Sequence, residues 1–104
     1  MTRVEIVKGD KNLILQFQIL DADGNPVDLT NASAILKFKS YEDGTLYSLN
    51  GNVIDATNGK VQFNTGETFV DLEGEFKGEI ELVYEEGQKI TAPNIVIKVI
   101  PSVG

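Results

Sequence analysis

The feature that most restricts the fold of this chain is a two-residue alternation of apolar and polar side chains, broken by turn formers about every ten positions. Side chains on a strand point alternately to opposite faces, so this pattern marks half-buried strands, whereas a helix needs apolar residues three and four apart. In residues 13–20, Leu13, Leu15, Phe17 and Ile19 share one face while Gln16 and Gln18 lie on the other. In 34–39, Ala34, Leu36 and Phe38 alternate with Ile35, Lys37 and Lys39, giving one apolar and one mostly basic face. The longest expected strand is 74–84, with Phe76, Ile80, Leu82 and Tyr84 on one side and Glu75, Lys77, Glu79 and Glu81 on the other. The expected core is Leu15, Phe17, Ile19, Leu36, Phe38, Phe76, Ile80 and Leu82.

Shorter strands are expected at 4–7, 45–49, 53–54, 60–64, 88–91 and 94–100. Between them lie turn signals: Gly24-Asn25-Pro26, Asp43-Gly44, Asn50-Gly51-Asn52 and Asn58-Gly59. Residues 65–72 lack a period and read as a loop with one helical turn. Pro93 has no N–H to give a ladder, so the return strand should bend or lose a pairing there. Seven to nine short strands in 104 residues give an all-β, immunoglobulin-like antiparallel β-sandwich, with a small barrel as the alternative. The length suits one domain spanning 1–104. With no Trp and no Cys, such a sandwich is held by apolar packing alone.

The chemistry available is narrow. Histidine and cysteine are absent, which removes the usual general base, proton shuttle, thiolate nucleophile and transition-metal ligands. No catalytic, cofactor-binding or metal-ligating residue is therefore assigned. The formal charge of −7 comes without a run of Lys or Arg, which argues against nucleic acid or an anionic membrane as partner. No stretch approaches the ~20 apolar residues of a membrane-spanning helix. The first residues alternate in character and lack a secretory apolar run, so synthesis in the cytoplasm without export by the general secretory route is expected.

Two acidic groupings invite a sharper reading. Asp21, Asp23 and Asn25 place oxygen ligands at alternate positions like the opening of a calcium loop, but Pro26 stands where glycine is needed and Ala32 where a bidentate Glu is needed. An ordinary acidic turn is the better account. Glu75, Glu79 and Glu81 imitate the paired carboxylates of glycoside hydrolysis, which act about 5–9.5 Å apart. Lys77 stands among them and nothing nearby would raise one carboxyl, so a solvated strand face is favoured. Tyr41, Tyr47 and Tyr84 suit a sugar or protein surface, and core or edge packing is the commoner use of such residues.

The order of segments resembles the N-terminal domain of phage baseplate upper proteins. The resemblance is carried by Val7-Lys8-Gly9-Asp10 before Leu15-Gln16-Phe17-Gln18, by the run Leu20-Asp21-Ala22-Asp23-Gly24-Asn25-Pro26-Val27-Asp28-Leu29-Thr30-Asn31-Ala32, and by Asp55-Ala56-Thr57-Asn58-Gly59-Lys60-Val61 and Gly74-Glu75-Phe76-Lys77-Gly78-Glu79-Ile80-Glu81-Leu82. It covers about 4–99, and departs from the family pattern at Thr91-Ala92-Pro93-Asn94 and in 40–52. It implies a non-enzymatic structural module of a bacteriophage or prophage tail, docking neighbouring virion proteins, with no catalytic residues to carry over. The expected partners are other tail or baseplate proteins, with a homo-oligomer among the outcomes and the virion tail as the location. The outward side of 74–84, with Glu75, Lys77, Glu79 and Glu81, is the candidate partner-docking face. A carbohydrate-binding or adhesin-type sandwich that touches a cell surface is the competing reading.

Overall fold

The computed structural model describes residues 2–103. Seven strands follow in chain order: β1 (Thr2–Val7), β2 (Ile14–Gln18), β3 (Ala32–Ser40), β4 (Leu46–Asp55), β5 (Lys60–Asn64), β6 (Gly74–Tyr84) and β7 (Lys89–Ile100). They pair in the order β1-β7-β6-β3-β4-β5-β2, a mixed sheet curled on itself into a sandwich-like, all-β fold. No helix occurs among the described residues.

One pairing departs from the antiparallel expectation. β1 runs parallel to β7, from Thr2 opposite Ile95 to Val7 opposite Ile100. Parallel neighbours need a long connection between them, and here nearly the whole chain supplies it. The remaining pairings are antiparallel.

The turn expected at Asn50-Gly51-Asn52 does not form. β4 passes straight through it and belongs to both halves of the curled sheet, pairing with β3 up to Asn50 and with β5 from Gly51 onward. A Cβ on Gly51 would stand 2.4 Å from the Phe63 ring, so the glycine is required for close approach at a corner and serves no turn. At Pro93 the expectation holds: the β6–β7 register shifts between Gly78 and Ile80, and Asn94 takes a positive φ of 66° in the resulting bulge. Residues 65–72 form a compact turn with N–H to C=O bonds from Thr68 to Thr65 and from Val70 to Glu67.

Ile19, Leu36, Phe38, Phe76, Ile80 and Leu82 are buried as the alternation predicts. Leu15 and Phe17 are only half-buried, because β2 is an edge strand with no neighbour on one side. The core also takes Phe63 from β5, Ile97 and Val99 from β7, and Phe69 from the 65–72 turn. Phe38 stacks on Phe69 at 5.2 Å and meets Phe76 edge-on at 5.7 Å, which ties the turn to the sheet. Tyr84 is buried, and its hydroxyl donates to the Asp28 carbonyl at 2.7 Å, pinning the long 19–31 connection against the end of β6.

Candidate functional site

The outward face of the sheet is set by the register of β3, β6 and β7. Lys37 stands opposite Glu79, Lys39 opposite Lys77, and Ile35 opposite Glu81. On the other flank, Glu75 faces Lys98, Lys77 faces Val96 and Glu81 faces Thr91. The four residues expected to form a docking face do lie on one strand side, but the structure divides them. Glu75 and Lys77 are exposed and Glu79 is half-buried. Glu81 is only 8% exposed, against the expectation of a wholly solvated face.

Burial of Glu81 follows from its neighbours. Lys37 Nζ approaches Oε2 at 2.6 Å and Lys89 Nζ approaches Oε1 at 3.5 Å, so lysines from the two flanking strands cover both oxygens. The hydrogen bond from Lys37 pulls the Glu81 carboxyl below the ordinary glutamate value of 4.5, outweighing desolvation, with the Lys37 and Lys89 charges adding to it. That direction is opposite to what a general acid requires of Glu81.

Lys39 and Lys77 present the reverse case. They are directly opposed like charges on adjacent strands, both exposed, and neither forms an ion pair among the described residues. Such a pair is destabilising unless a counter-charge is supplied. Together with Lys37, Gly78, Glu79, Glu81, Pro93, Asn94 and the 64% exposed Leu46, they line a depression of about 490 Å³ on the sheet. The basic outward side of β3 is visible in the sequence. That it lies beside β6 is not, because the pairing joins residues about forty positions apart.

The acidic turn at Asp21 uses its carboxylate internally, Oδ1 accepting the N–H groups of Asp23 and Asn25 at 2.9 Å each. This is the Asx-turn role of an ordinary loop acid. Of the tyrosines, Tyr47 stacks on Phe38 at 5.3 Å and Tyr84 is held by its hydroxyl, leaving Tyr41 as the exposed one.

The family model of the BppU N-terminal domain matches residues 1–103. In three dimensions the chain is similar to the N-terminal domain of phage TP901-1 ORF48, with a TM-score of 0.73 and 16% identity, over 93% of this chain and 83% of that one. It is also similar to CopC from Methylosinus trichosporium OB3b, with a TM-score of 0.59 and 10% identity, over 100% of this chain and 89% of that one. At these identities the structural likeness speaks to the fold alone. No curated protein matches the sequence.

Proposed function

Belonging to the BppU N-terminal domain family, the chain is a structural module of the bacteriophage tail baseplate, and from that premise we propose that it acts as a single non-enzymatic docking domain that holds neighbouring virion proteins through the outward face of β3 and β6. The observation that carries this reading is the directly opposed Lys39–Lys77 pair, neither lysine in an ion pair among the described residues, set in a depression beside an exposed leucine. A fold with no use for that face would be more stable with opposite charges there. The Glu75, Lys77 and Glu79 side chains rim the contact, and Glu81 fixes Lys37 and Lys89 in place beside it.

The test is incorporation into particles. Tail particles assembled with wild-type protein should contain the chain, and a variant with E75K, K77E and E79K together should be depleted at least tenfold while still folding, since the changed side chains are mostly solvent-facing. Normal incorporation of that variant would place the docking contact elsewhere. Absence of even the wild-type chain from purified particles, with specific binding on a glycan array, would favour the carbohydrate-binding reading.

A further inference from the structure

Basic residues are unevenly placed in this acidic chain. Of its nine Lys and Arg, the outward face of the β1-β7-β6-β3 part of the sheet takes Arg3, Lys37, Lys39, Lys77, Lys89 and Lys98. The same face carries only Glu5, Glu75, Glu79 and Glu81 of the sixteen acidic residues, and Glu81 is consumed by two of the lysines. It is thus net positive on a protein of formal charge −7.

The opposite charge gathers at one end of the molecule. There the connections 19–31, 55–59 and 85–88 are bound to one another: Leu29 N–H donates to the Ala56 carbonyl, Ile19 N–H to that of Gly59, and Glu85 N–H to that of Asn31. Between them they carry Asp21, Asp23, Asp28, Asp55, Glu85 and Glu86. The Asp21, Asp28 and Asp55 carboxylates accept local hydrogen bonds, which rigidify the loops. Asp23, Glu85 and Glu86 are exposed and spend their carboxylates on no partner among the described residues.

These two surfaces cannot meet within one chain. Lys39 lies seven residues along β3 from Ala32, at the acidic end, a distance of about 23 Å on a strand. At physiological ionic strength charges more than about 8 Å apart are largely screened, so the lysine pair gains nothing from the acidic end of its own chain; the nearer Glu79 and Glu75 also face Lys37 and Lys98, and offset the pair only in part. For the same reason the overall like charge of two copies hinders them little once their facing surfaces are in contact.

We infer that the Lys39–Lys77 depression receives the acidic loop end of a second copy of this chain, with Asp23, Glu85 and Glu86 of that copy facing the lysines. The inference rests on the docking reading above and names its occupant. Because the two surfaces differ, the contact is head-to-face; repeated from copy to copy it propagates and closes into a ring where the rotation allows.

The experiment uses two charge-reversed variants, K39E/K77E and D23K/E85K/E86K, all at exposed positions, with thermal melts confirming that each folds. In sedimentation velocity at about 50 mM salt the wild type should form concentration-dependent species larger than a monomer, and raising salt to about 500 mM should weaken the association at least tenfold. Each variant alone should be monomeric. Mixed in equal amounts they should recover association beyond the monomer, because the intact acidic end of one fits the intact lysine face of the other, and the two reversed surfaces, one acidic and one basic, are again opposite in charge. A wild type that stays monomeric at millimolar concentration, or a mixture that stays monomeric, overturns the inference. If the wild type is monomeric yet K39E/K77E is lost from tail particles, the lysine face docks a different tail protein and only the homotypic contact falls. If K39E/K77E also enters particles normally, the docking reading fails with it.

Discussion

The two faces of β3 and β6 are made by alternate residues of the same strands, yet they obey different rules. On the inner face every side chain is matched: Phe38, Phe76, Ile80 and Leu82 are at most 2% exposed, and the aromatic rings meet in stacked and edge-on pairs. On the outer face one carboxylate is buried under two lysines, while two further lysines oppose each other unpaired. The outer face keeps a local electrostatic cost, which natural proteins tend to retain where a surface is used.

The comparison breaks most easily from inside. Truncating Phe38 or Phe76 to Ala removes a fully buried ring from an aromatic cluster, and each should cost about 3–5 kcal/mol in denaturant unfolding. A loss under about 1 kcal/mol for either would mean that the inner face is not the continuous packed layer described here.

A smaller effect is expected where the outer face imitates the inner. Glu81 has its carboxyl pulled below the ordinary value chiefly by the Lys37 hydrogen bond, so the folded state binds its proton less readily than the unfolded chain does. The stability it contributes is therefore fully present above the unfolded value of about 4.5 and is lost as pH falls through the lower folded value. Wild type should exceed E81Q in denaturant midpoint at pH 7, and the gap should narrow below about pH 4.5. A gap independent of pH from 7 to 3 would show that the glutamate acts by packing and not by charge.

The inner face was legible because its logic is local: Leu36, Phe38, Phe76, Ile80 and Leu82 each follow from the period of their own strand. What the sequence concealed depends on partners distant along the chain. Phe69 is fully buried from a turn with no period to betray it, and Gly51 reads as a turn residue until Phe63 is seen against it. The parallel β1–β7 edge joins the two ends of the chain. The outer face was half legible, since the basic side of 34–39 and the charged side of 74–84 are each plain. Only their register turns Glu81 into a buried ion and Lys39 and Lys77 into an opposed pair.

That pair gives the smallest and most discriminating expectation. Lys39 forms no ion pair, and its register partner is Lys77, with Lys37 two residues away on the same strand side. Replacing it by Gln removes repulsion and breaks no salt bridge, and it leaves Lys77 beside Glu75 and Glu79. Like-charge cross-strand pairs are worth a few tenths of a kcal/mol at an exposed site, so K39Q should raise Tm by about 1–3 °C at low salt, and the gain should shrink as salt screens the pair. The same substitution should weaken docking, because it lowers the positive potential of the depression. A single change that stabilises the isolated protein while impairing its assembly would identify the outer face as one maintained for contact. If K39Q lowers Tm, or raises it without any effect on assembly, the opposed lysines are no more than an unoptimised surface and the contrast between the two faces loses its functional meaning.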